Sequence, residues 1–164
     1  DASHALGNSS FWDKEAASKA IDLFARRRSG SGELLAGSTS EMAEIIISQL
    51  TKQTSNSILE MAFSEEEFGI ANTPGILAQQ SITQLGLNGY RNLLKIDVGI
   101  NKKIIGLGAS AATYYPAVGK KLNCDVILPE YAGVANAIGA VVGKITMREM
   151  GPVARMNPLT VIKG

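Results

Sequence analysis

Two residue types that carry much of protein chemistry are nearly missing from this chain. Cysteine occurs once, at Cys124, which excludes an intrachain disulfide framework and a cysteine-built zinc ribbon. Histidine also occurs once, at His4, so no HExxH site exists, and a metal would need carboxylates or a partner chain. Charge of one sign is not in excess either. Lysine plus arginine number 16 against 15 acids, a net charge of +1, which gives no case for gripping a phosphate backbone, and no nucleic-acid partner is expected. The longest run of small and apolar residues, Tyr131 to Gly143, is shorter than the about 20 residues that span a bilayer. The first residues lack a basic segment followed by an apolar one, so no signal peptide is read and no membrane partner is expected. Because the chain begins at Asp1 and not at Met, it reads as a soluble, cytoplasmic-type segment of something longer.

What is present describes a folded chain. Its 164 residues suit one domain on a prior of roughly 100–200 residues each. A chain of that size buries roughly 68–70% of its unfolded surface. A hydrophobic fraction of 45% with 19% charged residues excludes disordered and collagen-like chains.

The first part of the chain reads as helical. Asp13 follows Trp12 as an N-cap, Glu15 stands in the first turn, and Ala16, Ala17, Ala20, Ile21 and Phe24 recur on one apolar face. Arg26, Arg27 and Arg28 close that helix where positive charge suits the macrodipole; the triplet is either an anion site or a solvated last turn. Ser29 to Gly32 is a short connector. Ser38 and Glu41 have capping-box spacing, and Met42, Ile45, Ile46 and Leu50 are expected to form the buried stripe of the helix that follows. Thr54 to Ser57 either breaks or roughens this helix, and Ile58, Leu59, Met61 and Ala62 resume the pattern to about Glu66. Glu65, Glu66 and Glu67 read as a solvated helix end and not as a metal cluster. Pro74 suits the first turn of another helix running to about Leu85, ended by Gly86 and Gly89.

After Tyr90 the pattern changes. Leu93–Val98 reads as a strand, 99–101 as a turn, and Lys103–Gly106 as a second strand paired with the first like a hairpin. A helix is expected from about Ala111 to Leu122, a strand over Val126–Leu128 and a helix from about Gly133 to Val142. Ile145–Met147 and Val153–Met156 look like strand material. Strands alternating with helices predict a partly parallel α/β sheet.

Two stretches suggest chemistry. In Ile104-Ile105-Gly106-Leu107-Gly108-Ala109-Ser110-Ala111, a strand enters a turn of small residues and then a helix. Such a turn lets a ligand approach the backbone and presents helix N-terminal amides, which suits a phosphate or the polar edge of a nucleotide. It equally suits a tight strand-to-helix turn with no ligand. The same string parses as G-x-G-x-x-A with Glu130 about 20 residues on, the pattern of a dinucleotide site. Pro116 early in the next helix and the hairpin-like strands before it stand against that parse. The second stretch, Tyr131 to Gly143, places Val134, Ile138, Val141 and Val142 on one helical face and Ala132, Asn136, Gly139, Ala140 and Gly143 on another. A face of small residues predicts a close helix neighbour or room for a flat ligand. Asn136 is its polar side chain and needs a partner if buried.

These residues carry a resemblance. G-x-G-A-S-A, then V-I-L-P-E and V-A-N-A-I-G-A-V-V-G, are similar to the C-terminal part of the hydantoinase/oxoprolinase family, hydantoinase A-type. The ATPase core of that family resembles those of actin, Hsp70 and sugar kinases. The opening Asp1-Ala2-Ser3-His4-Ala5-Leu6-Gly7 resembles the D-A-x-x-x-L-G segment after its second phosphate motif. The resemblance implies an α/β fold: residues 1–91 a mainly helical segment inserted in the ATPase fold, and residues 92–164 a partial ribonuclease H-like mixed sheet with helices. It implies ATP with magnesium in the intact parent, ATP-driven opening of cyclic amides or carboxylation of small ketones, and none of these in the segment alone. Gly106, Gly108, Ala109 and Ser110 would line the adenosine side, with Glu130 and Asn136 near the same cleft. Both phosphate hairpins would precede Asp1. The implied partners are the rest of the parent chain and, where one exists, a hydantoinase B-type subunit. The alternatives are a dinucleotide-binding module of an oxidoreductase and a non-enzymatic assembly module built on the helices from Ala16 to Leu85. No nucleophile–base pair is apparent: Ser110 has no histidine near it in sequence, His4 reads as a loop or cap residue, and Cys124 reads as packing.

Overall fold

The computed structural model describes residues 2–7, 13–68 and 73–143. Asp1, Trp12 and the strand-like stretches 145–147 and 153–156 lie outside the described residues. The architecture is helix-rich α/β with two small two-stranded sheets.

A short helix α1 (Ala2–Ala5) precedes α2 (Lys14–Ala25). Asp13 caps α2 as expected, its carboxylate accepting from the amides of Glu15 and Ala16. The buried face is Ala17, Ile21 and Ala25, whereas Ala16, Ala20 and Phe24 are exposed. The three arginines after it are held locally: Arg26 pairs with Asp22, Arg27 lies over the Phe24 ring, and Arg28 donates to the Gly32 carbonyl. They form a solvated turn.

Helix α3 (Thr39–Glu65) runs unbroken for 27 residues, about 40 Å at 1.5 Å per residue. Ser38 Oγ accepts from the Glu41 amide, and the Glu41 carboxylate reaches back to the amide of Gly37, one residue before the N-cap. The polar stretch 54–57 does not break it. Of the expected buried stripe, Met42 is buried and Ile46 half-buried, whereas Ile45 and Leu50 are exposed, because the face that packs is Met42, Ala43, Thr51, Ser55 and Leu59. Thr51, Ser55 and Leu59 are buried at intervals of four, so the polar residues on this face are small ones that let neighbouring elements approach. The Thr51 hydroxyl donates to the Ile47 carbonyl, and Asn56 accepts from Gln84.

The helix ends where three acids predicted it would. The Phe68 amide donates to the Phe63 carbonyl and the Glu67 amide to that of Ser64, with Glu67 left-handed at φ +56°. Phe63 and Phe68 meet with ring centroids 6.0 Å apart, the apolar contact that accompanies this C-terminal motif.

Instead of one helix from Pro74 to Leu85 there are two, α4 (Thr73–Gln79) and α5 (Ser81–Leu87). Extended backbone at Gln80 separates them, and the Thr83 hydroxyl and Gln84 amide tie back across the bend to the carbonyls of Leu77 and Ala78. Gly86 lies inside α5, not at its end, where Ile96 and Val98 press against it. Gly89 at φ +64° follows the cap residue Asn88.

Of the expected strand over Leu93–Val98 only Lys95–Ile96 forms, and Leu93 and Leu94 lie in the turn before it. β1 (Tyr90–Arg91) pairs antiparallel with β2 (Lys95–Ile96), and Leu93 sits fully exposed between them. Arg91 bridges the end of this hairpin to Asp97, which holds the Asp97 carboxyl below the usual carboxylate range. The expected pairing of residues 93–98 with 103–106 does not occur. β3 (Ile104–Ile105) instead pairs in parallel with β4 (Val126–Ile127), and α6 (Ala111–Lys121) makes the crossover. A 3₁₀ turn (Ala132–Val134) leads into α7 (Ala135–Val142).

Two apolar clusters hold the described residues together. One joins Ala2, Ile21, Ala25, Ala36, Met42 and Ala43; the other joins Leu59, Ala78, Leu87, Val118 and Leu122. Helix α3 contributes to both, one toward each end. Asn123, left-handed at φ +53°, closes α6, and its side-chain amide donates to the carbonyls of Leu87 and Val98. That side chain ties the end of α6 to α5 and to the segment after β2.

Candidate functional site

The strand–turn–helix from Ile104 to Ala111 forms as its sequence predicts. The Ile104 amide donates to Asp125 O and the Gly106 amide to Ile127 O, each at 2.9 Å, which continues the parallel ladder to the mouth of the turn. Gly106 is buried: a Cβ there would lie 2.7 Å from Leu128 Cδ2 and 3.2 Å from Tyr115 Cγ. Gly108 has φ +112°, outside the range that side-chain-bearing residues adopt readily, so the turn requires glycine at that position. Its amide donates to Ala132 O at 2.7 Å, which joins the turn to the 3₁₀ segment after β4.

Ala109 and Ser110 are exposed, and Ser110 is the N-cap of α6 without a side-chain capping bond. The Ala111 amide donates to Gly108 O and the Thr113 amide to Ser110 O, both at 3.0 Å. The start of α6 also carries Tyr114 and Tyr115, with ring centroids 4.9 Å apart. Burial pushes the Tyr114 hydroxyl above its ordinary pKa, Tyr115 adds to that, and Ser110 works in the opposite direction. Pro116 sits inside α6 and supplies no amide to the carbonyl of Ala112, four residues before it. The helix continues through it to Lys121.

The other candidate residues lie along the same edge. Glu130 follows β4 at the carboxyl ends of the strands and is exposed; Asn136 is in the first turn of α7 and also exposed. The backbone brings Gly106–Ser110 and the 130–134 segment together through the Gly108–Ala132 bond, and a Cβ on Gly133 would lie 4.0 Å from Ala109 Cα. The side chains of Glu130 and Asn136 make no hydrogen bond or ion pair with the glycine turn.

The face of small residues on α7 does not press on a neighbour among the described residues. A Cβ on Gly139 meets nothing within 4 Å, and α7 has no buried residue. Asn136 therefore needs no internal partner. Sequence reasoning missed the Tyr114–Tyr115 pair beside the turn. Its signal was available as two adjacent aromatics at the start of the helix that follows the glycines.

Among the described residues, no group of three or more His, Cys, Asp or Glu side chains is placed to hold a metal ion. Among them, also, no helix is long and apolar enough to cross a membrane. No family model matches this chain, no curated protein matches it, and no solved structure does.

Proposed function

We propose that this chain supplies the adenosine side of a nucleotide cleft in an ATP-dependent hydrolase of cyclic amides, of the hydantoinase/oxoprolinase type. In this reading the α/β part is a portion of a ribonuclease H-like ATPase fold, working in the cytoplasm. Its partners are the remainder of a longer chain and, where one exists, a hydantoinase B-type subunit. The observation that carries the proposal is the turn itself: a parallel strand delivers Gly106 and a left-handed Gly108 to the N-terminus of α6, at the edge of the sheet where α/β proteins bind ligands. Gly106 and Gly108, whose own amides are bonded to Ile127 O and Ala132 O, shape the wall of the adenosine side. The exposed Ala109 and Ser110 present backbone to the base and ribose, and Glu130 stands on the neighbouring segment as an acceptor for sugar hydroxyls. Asn136 offers an amide one helical step further out.

ATP with magnesium is only partly matched by these residues. The described residues offer no carboxylate cluster for the metal. In the family that the sequence resembles, the metal and the phosphates would be held by hairpins that precede this segment. Phosphoryl transfer depends on positioning and charge stabilisation at those phosphates. In this reading the chain by itself is inactive.

One observation favours a second reading, a dinucleotide-binding module. β3, α6 and β4 make a parallel βαβ unit, and the hairpin-like pairing that stood against such a module does not form. Glu130 then takes the place of the acid beyond the second strand. Calorimetry with ATP plus magnesium and with NAD, on this chain and on a longer chain carrying the upstream hairpins, separates the two. The first reading expects ATP binding and phosphate release from the longer chain alone. NAD binding without ATP binding overturns it, and phosphate release by these 164 residues overturns the placement of the catalytic half elsewhere.

A further inference from the structure

A cavity of about 520 Å³ opens at the opposite edge of the parallel strands, where Lys103 leads into β3, Asp125 leads into β4, and α6 ends. Lys102, Lys103 and Lys120 line it with Asn101, Cys124 and Asp125. Of the three ammonium groups one is compensated: Lys103 lies 3.7 Å from the Asp125 carboxylate. Lys102 and Lys120 make no ion pair among the described residues. The negative end of the α6 dipole draws on Lys120, but Lys121 in the same last turn also serves it from a separate groove against Leu6 and α3. The cavity therefore keeps a surplus of positive charge in a protein whose net charge is only +1.

The backbone amides of Asn101, Lys102 and Lys103 donate to no group among the described residues, although the flanking amides of Ile100 and Ile104 are bonded to Leu122 O and Asp125 O. Burial, and then the neighbouring Asp125 carboxylate, push the Cys124 thiol upward, so it stays an uncharged lining group at neutral pH.

We propose that this cavity binds a compact, phosphate-bearing small molecule. Ammonium groups on flexible stems close around such an anion as point charges. The three lysines line one cavity and not a stripe, which fits a compact polyanion better than a duplex backbone, whose charges repeat along a groove. The site stands apart from the Gly106–Ser110 turn, at the other ends of the same strands, and does not depend on what that turn binds.

The test is isothermal titration calorimetry of the whole chain with inorganic pyrophosphate, without divalent metal. Saturable one-site binding is expected, weakened about tenfold or more in the Lys102→Ala/Lys120→Ala double variant. It should be retained in Lys102→Arg/Lys120→Arg and lost as salt rises from about 50 to about 500 mM. Lys19→Ala, which removes an exposed lysine paired with Glu15 on α2, should leave the affinity unchanged. Lys102→Glu, in a segment outside any helix or strand, gives a second reading that perturbs no element. Absence of saturable binding overturns the proposal. So does equal weakening by Lys19→Ala, which would mean diffuse charge attraction. Displacement of pyrophosphate by a short DNA duplex at matched phosphate concentration would assign the surface to nucleic acid, and overturns it as well.

Discussion

Gly119→Ala tests how closely α6 must lie on β4. Gly119 is in the interior of an eleven-residue helix, where alanine in open space would add about 1 kcal/mol of stability over glycine. Here a Cβ would run into Val126 Cγ2 and lie 3.0 Å from the Cys124 carbonyl oxygen. Valine is stiff about χ1, and the carbonyl belongs to backbone that follows the left-handed Asn123, so neither gives way easily. Overpacking a close contact costs about 1–3 kcal/mol, and with backbone on one side the upper half of that range applies. Subtracting the propensity gain leaves a net loss of about 1–2 kcal/mol. Urea denaturation followed by far-ultraviolet circular dichroism should show a lower midpoint with an unchanged slope. Each kcal/mol lost should lower the melting temperature by about 2–4 °C for a chain of this size. Pairing the change with Val126→Ala removes one obstacle, and the double variant should lose less than the sum of the two single changes, by at least about 0.5 kcal/mol. Gly119→Ala as stable as the parent, or more so, would mean that α6 and β4 are not in this contact, and the parallel pair built on it would fall.

Glu67→Gly should stabilise the chain by about 1 kcal/mol, because glycine carries no penalty at φ +56°; an unchanged urea midpoint would remove the left-handed C-terminus assigned to α3. Gly139→Leu should be neutral or slightly stabilising, within about 1 kcal/mol on thermal melting, since a side chain there meets nothing within 4 Å among the described residues; a large loss would place a close neighbour on α7. Burial and then Asp125 raise the Cys124 pKa, so its alkylation rate should rise at a higher pH than that of the unfolded thiol, and Asp125→Asn should bring the midpoint partway back. The sign for stability follows from proton counting: the unfolded thiol loses its proton first. This contribution is therefore present below the ordinary thiol value and falls as pH rises from there to the raised native value.

Local chemistry decided what could be read in advance. Asp13 and Ser38 cap helices because their side-chain oxygens satisfy amides two or three residues away, and that interaction needs no third element. The glycine turn from Gly106 to Ser110 was legible for the same reason. Its conformation is set by which residues tolerate a positive φ, and the strand before it and the helix after it announce themselves by their own periodicity. The candidate residues at 130 and 136 were legible as positions, because β4 and α7 fall where the pattern puts them.

Pairing between distant segments was not legible. Ile104–Ile105 could form a ladder with residues 93–98 or with β4 on alternation alone. The parallel choice follows from α6 laying its buried Val118 and Leu122 against Leu59, Ala78 and Leu87, which sets the start of β4 beside β3. The unbroken course of α3 is likewise a tertiary result. Thr54 to Ser57 has weak helix propensity by itself, and the helix carries on because apolar clusters at both ends hold it and small buried side chains between them let its neighbours approach. The hydropathy of α7 could be read from sequence, but not that its small face meets no neighbour among the described residues, because burial belongs to what surrounds a helix and not to the helix itself.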